Sequence, residues 1–147
     1  SRSIEKTETF DLSELLELTI NRYENDNISS DIQNKIYIDG RKNLIQRCLN
    51  NVLDNSIKFS KKIVVSLNKS KSNILISIDD DGPGIKQNEM KNVFKPFYKI
   101  DKGRDVSNSS VGLGLSIALD IIKSHGGKIN LSKSKFGGLR VEINLPF

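Results

Sequence analysis

The chain has 147 residues, 36% hydrophobic and 28% charged, a size and balance that suit one soluble domain with a single core. No apolar run approaches the roughly 20 residues that span a bilayer, and the polar start Ser1-Arg2-Ser3-Ile4-Glu5 has no signal-peptide core, so a cytoplasmic location is expected. The net charge of +5 comes from scattered lysines without interleaved aromatics or a DNA- or RNA-binding motif, and no nucleic-acid partner is expected.

Residues 1–9 are polar and read as a tether, with one domain over 10–147. Asp11 or Ser13 can cap a first helix that carries Leu12, Leu15, Leu16, Leu18, Thr19 and Tyr23 inward. Residues 24–33 read as a loop, and the alternation of 35–39 predicts a short strand. After Asp39-Gly40, apolar residues at Leu44, Ile45, Cys48, Leu49, Val52, Leu53 and Ile57 recur every three or four positions and predict a helix over 42–59. Cys48, the only cysteine, rules out an internal disulfide and reads as a small buried hydrophobe.

Two alternating segments, 63–67 and 74–78, predict strands joined by a hairpin turn. Asp80-Asp81-Gly82-Pro83-Gly84 ends the second, and a short helix is expected over 87–93. Residues 98–111 have few apolar anchors and read as a mobile loop. A third long helix opens at Gly112 and stops near Gly126-Gly127, and strands over 128–132 and 138–145 follow, joined by a Gly-rich turn. Strands and helices are partly segregated, which predicts an α+β fold: a two-layer α/β sandwich with a mixed sheet and helices on one face.

Three segments carry candidate chemistry. Asn51 and Asn55, four apart, share a face of the second helix, with Lys58 close by. Carboxamide oxygens suit Mg²⁺ and a lysine suits a phosphate, although the same residues also make an ordinary polar helix face. Asp81-Gly82-Pro83-Gly84 lets the backbone turn sharply beside a ligand, and a carboxylate there can accept from an exocyclic amine such as that of adenine; taken alone it is a turn after a strand. Gly112-Leu113-Gly114-Leu115 presents free backbone N–H groups at a helix start, a ready phosphate site. The glycine spacing fits neither a Rossmann fingerprint nor a P-loop.

In order and spacing, 51–59 (NVLDNSIKF), 79–85 (DDDGPGI), 94–98 (FKPFY) and 112–117 (GLGLSI) resemble the N, G1, F and G2 boxes of the histidine kinase catalytic domain. That domain belongs to the ATP-binding superfamily shared with gyrase, Hsp90 and MutL, and the EnvZ-like osmosensor class is the most similar. The resemblance runs from about Phe10 to Phe147. It implies a Bergerat-type ATP-binding fold, with ATP and Mg²⁺ as ligands. By position it assigns Asn55 to the metal, Asn51 and Lys58 to the neighbourhood of the phosphates, and Phe59 to packing on adenine. Asp81 takes the carboxylate that accepts from the adenine amine, and Gly84 and Ile85 line the base. Lys99 and Arg104 become the lid residues that reach the terminal phosphate, Gly112, Leu113, Gly114 and Leu115 the phosphate wrap, and Phe94 and Phe97 the lid anchor.

The resemblance also implies transfer of the γ-phosphate to a histidine on a separate dimerisation domain, with a response regulator as indirect partner. The source would be a sensor in the inner membrane that is homodimeric as a whole, this part being monomeric. The only histidine, His125, sits at a helix end, where it can cap carbonyls, and is not the expected acceptor. Ser110 stands where the family often has a glycine, and Val111 where Thr or Ser is common. Two alternatives share the fold: an ATP hydrolase and an anti-sigma-type serine kinase. The hydrolases carry a basic glutamate one turn before the metal asparagine; Asn51 holds that position and is no base.

Overall fold

The computed structural model describes residues 4–96 and 110–147, the side chains of 110–113 excepted. Strand β1 (Glu8–Asp11) leads into helix α1 (Leu12–Asn21). Strands β2 (Ile28–Ile32) and β3 (Tyr37–Gly40) follow, then helix α2 (Lys42–Phe59). Strands β4 (Ile63–Lys69) and β5 (Ile74–Asp80) come next, then two single 3₁₀ turns, Gln87–Glu89 and Asn92–Phe94, where one short helix was expected. Helix α3 (Ser110–Ser124) and strands β6 (Lys128–Lys133) and β7 (Leu139–Leu145) complete the chain.

Five strands form one mixed sheet in the order β2-β4-β5-β7-β6, in which β2 runs parallel to β4 and all other pairs are antiparallel. Alternation along β4, β5 and β7 sends Ile63, Val65, Leu67, Ile74, Ile76, Ile78, Val141, Ile143 and Leu145 to one face, all buried. The helices cover that face with Leu16, Ile45, Leu49, Val52, Leu53, Ala118 and Ile122. The opposite face carries the polar alternates, among them Ser66, Ser77, Arg140 and Glu142. The two-layer sandwich expected from the segregated pattern is therefore present.

Asp11 caps α1, its carboxylate accepting from the Glu14 N–H at 3.0 Å. Leu18, expected inward, is 46% exposed. The buried stripe is Leu12, Leu15, Leu16, Thr19 and Ile20, and two residues past Leu16 the helix has turned roughly 200°, away from the core. The stretch 24–33, expected as a loop, contains β2; its central residues are polar, and pairing to β4 along an edge of the sheet makes it a strand.

The tether expected over 1–9 is shorter than its composition suggests. β1 pairs antiparallel with β3, and Thr9 donates to Asp39 at 2.5 Å. The Glu5 carboxylate accepts from the backbone N–H groups of Asn43 (2.8 Å) and Leu44 (3.1 Å), filling the N-terminus of α2, where Arg41 makes no side-chain cap. His125 joins the far end of α3 to the same corner. Its Nε2 accepts from the Arg41 N–H at 3.0 Å and its Nδ1 lies 2.8 Å from the Ile121 carbonyl, partners that assign the proton to Nδ1.

Candidate functional site

α2 is long enough to carry core and site on different faces. Val52, Leu53 and Ser56 face inward, while Asn51, Asn55 and Phe59 are half-buried and Lys58 is exposed. Asn51 points at the start of α3: its Nδ2 donates to the Gly114 carbonyl at 3.4 Å, a long bond. Asn55 Oδ1 is buried and finds no hydrogen-bond partner among the described residues. A buried carboxamide oxygen left open is costly in a folded chain and suits a ligand that supplies a donor or a hard cation. Lys58 Nζ lies 5.8 Å from the Phe59 ring centroid, so cation and ring stand side by side at the end of α2.

Three successive aspartates at the end of β5 have three different environments. Asp79 faces the open side of the sheet, and its Oδ2 accepts from Arg140 Nη1 at 2.6 Å. Asp80 continues the inward series Ile74, Ile76, Ile78 and is only 4% exposed. Its Oδ1 accepts from the backbone N–H groups of Gly82 (3.0 Å) and Leu139 (2.9 Å). Burial raises its pKa above the ordinary carboxylate value and outweighs those two bonds, which pull it down; the Ser56 hydroxyl beside it also lowers it.

Asp81, the carboxylate expected to meet adenine, has left the strand and turned outward. It is fully exposed, and one oxygen accepts from the N–H groups of Lys61 and Lys62, both at 2.9 Å, which lowers its pKa. That carboxylate ties the turn to the start of β4. The buried carboxylate at this corner is Asp80, one residue earlier. Extending the period-two alternation of 74, 76 and 78 by one more step finds it.

The turn after β5 separates two hollows. One, of about 390 Å³, is lined by Gly84, Ile85, Met90, Leu131, Lys133 and Gly138. The other, about 580 Å³ and more open, is lined by Lys58, Phe59, Lys61 and Asp81. Gly84 has φ of +71°, a left-handed conformation that side chains rarely adopt. Sequence reasoning missed Asp80, Gly138, Met90 and Leu131; the last three lie outside the four motifs.

At the other wall, Gly112 and Leu113 fall in the first turns of α3, Gly114 accepts from Asn51, and Leu115 is fully buried in the core. Leu115 thus contributes its backbone alone to the helix start. Phe94 is half-buried and packs on the core, an anchoring position. Phe97, Lys99, Arg104 and residues 98–109 of the loop expected over 98–111 lie outside the described residues, while Ser110 and Val111, expected in that loop, form the first turn of α3. Among the described residues no cluster of three or more His, Cys, Asp or Glu side chains is placed to hold a metal.

Residues 40–147 match the family described as histidine kinase-, DNA gyrase B-, and HSP90-like ATPase. The sensor histidine kinase CpxA of Escherichia coli is 38% identical over 108 residues, 73% of this chain and 24% of that protein. The sensor histidine kinase GtrS of Pseudomonas aeruginosa is 34% identical over 107 residues, 73% of this chain and 22% of that protein. The chain spans about a quarter of the length of these curated relatives. Among solved structures, the histidine kinase domain of the E. coli osmosensor EnvZ superposes with a TM-score of 0.74 at 28% identity, covering 99% of this chain and 92% of that one. The mycobacterial sensor histidine kinase MprB gives 0.80 at 26% identity, covering 95% and 97%. With its motifs in order on a shared fold and the match running over most of its length, the chain belongs to the histidine kinase-, DNA gyrase B- and HSP90-like ATPase family.

Proposed function

We propose that this chain binds Mg-ATP and passes the γ-phosphate to a histidine on a separate dimerisation domain of a two-component sensor, with a response regulator downstream. The observation that carries the ligand reading is a pair of buried polar groups on α2 and at the end of β5: Asn55 Oδ1 without a partner among the described residues, and Asp80 held by backbone N–H groups on one oxygen. Asp80, rather than Asp81, accepts from the adenine amine, with Gly84 and Ile85 along the base; Phe59 lines the second hollow across the turn and does not share that wall. Asn55 fits Mg²⁺ through its open oxygen; when bound, the cation supplies charge neutralisation at the phosphates. Lys58 and the start of α3 at Gly112, Leu113, Gly114 and Leu115 hold the phosphate chain. Asn51 braces that helix start against α2.

Phosphoryl transfer needs positioning and charge stabilisation more than covalent help from the protein. An imidazole nitrogen of the acceptor attacks the γ-phosphorus, the bond to the bridging oxygen breaks, and ADP leaves with that oxygen. Lys99 and Arg104 steady the charge on the group in flight. Asn51 offers no base for water, which favours transfer over hydrolysis. Among the described residues no helix is long and apolar enough to cross a membrane, which fits a cytoplasmic domain of a membrane-anchored sensor.

The test follows the γ-label of Mg-ATP when the chain is mixed with a segment carrying the acceptor histidine of the same sensor. Acid-labile, base-stable label on that segment is expected. Label appearing only as free phosphate would favour the hydrolase, and no transfer from a covalently joined pair would reject the kinase.

A further inference from the structure

The β6–β7 hairpin belongs to none of the four motifs, yet it closes over the end of β5. The Gly138 N–H donates to the Asp80 carbonyl at 3.1 Å, and the next residue, Leu139, donates its N–H to Asp80 Oδ1 at 2.9 Å. A Cβ on Gly138 would stand 2.1 Å from Asp80 Oδ1, 2.5 Å from the Asp80 carbonyl oxygen and 2.6 Å from the Gly82 nitrogen. Two of those three atoms are backbone and cannot swing aside. The requirement for glycine at 138 is therefore one of space: only a bare Cα lets the hairpin come close enough for the Leu139 N–H to reach the carboxylate.

The consequence lies in how Asp80 is aimed. Both backbone donors, Gly82 from the turn and Leu139 from the hairpin, land on the same oxygen. One donor leaves a carboxylate free to rotate about its Cβ–Cγ bond, whereas two from different segments restrict that rotation; the Ser56 hydroxyl lies beside the group as well. Gly138 also lines the 390 Å³ hollow with Gly84, Ile85 and Leu131, so the same residue shapes the wall and sets the acceptor.

We infer that Gly138 and the Leu139 N–H are positioning elements for base selection: the hairpin clamps Asp80 Oδ1 so that Oδ2 meets an exocyclic amine. The inference rests on the reading of Asp80 as the base acceptor. It places part of the discrimination between an amino-purine and a purine lacking that amine in a hairpin that follows the last sequence motif.

The test compares two triphosphates by calorimetry, ATP and purine riboside triphosphate, which lacks the 6-amino group. The wild-type chain is expected to prefer ATP by about ten- to a hundredfold, as for a hydrogen bond to a charged acceptor. Gly138→Ala is expected to reduce that ratio to about threefold or less. Because the added methyl crowds backbone, a second variant replaces the Leu139 amide by an ester, deleting the N–H and adding no atoms to the hairpin; it should lower the ratio in the same direction. Equal losses for both nucleotides would reduce Gly138 to general packing and overturn the inference. An unchanged ratio in the ester variant would overturn it as well. A wild-type chain that binds the two nucleotides equally would sink the reading of Asp80 itself, and a wild type that discriminates while both variants also do would sink only the clamp.

Discussion

Replacing Asp80 by Asn separates binding from stability, because the two should move in opposite directions. An asparagine can keep its Oδ1 where the carboxylate has it, accepting from Gly82 and Leu139, so the local backbone is retained. Its second atom changes from an acceptor to an N–H donor. A donor facing the amine of adenine forfeits a hydrogen bond to a charged group, about 1.5–3 kcal/mol, or about ten- to a hundredfold in affinity.

Stability should behave otherwise. Burial raises the Asp80 pKa above its ordinary 3.8, so between 3.8 and the raised value the folded chain holds more protons than the unfolded one. Asp80 therefore makes the folded state less stable as pH rises through that window. Asp80→Asn should melt at a higher temperature than wild type near pH 7, with the gap closing as pH falls toward 4. Calorimetric titration with Mg-ATP and thermal melts across pH 4–8 measure both sides. Wild-type affinity in the variant, or a melting temperature that falls at neutral pH and recovers in acid, would refute the reasoning.

Asp81→Asn should change nucleotide affinity by less than about threefold, since the amide oxygen can still accept from Lys61 and Lys62 and the group is fully exposed; a loss like that of Asp80→Asn in the same titration would restore Asp81 to the site. Asn55→Ala should weaken Mg-ATP binding at least about tenfold while leaving metal-free nucleotide binding nearly unchanged, which titrations with and without EDTA distinguish. Glu5→Ala should destabilise the chain by about 0.5–2 kcal/mol in urea melts and speed hydrogen exchange at Asn43 and Leu44, because the carboxylate caps the first turn of α2. If those two amides exchange at the wild-type rate, Glu5 is not the cap.

Periodicity alone was enough for α2 and for β4, β5 and β7. The 3.6-residue repeat of 42–59 and the alternation at β4, β5 and β7 need only one buried face each, and that face is written into the spacing of their apolar residues. The motifs likewise put Asn51 and Asn55 on one face of α2 and Gly84 and Ile85 just after β5, because each sits a fixed number of residues from a helix or strand end. β2 was illegible: its middle is polar, and a parallel pairing to a segment more than thirty residues later defines it. The choice among Asp79, Asp80 and Asp81 was equally hidden, since adjacent carboxylates look alike in one dimension. Where β5 stops, which face it buries, and which backbone N–H groups converge on each oxygen separate them: Arg140 claims the first, Gly82 and Leu139 the second, Lys61 and Lys62 the third. Those donors come from β7, the turn and the two residues that precede β4, brought together by the register of the sheet. Local pattern specifies elements because it acts between near neighbours; the orientation of a buried charge is set by whatever distant backbone must satisfy it.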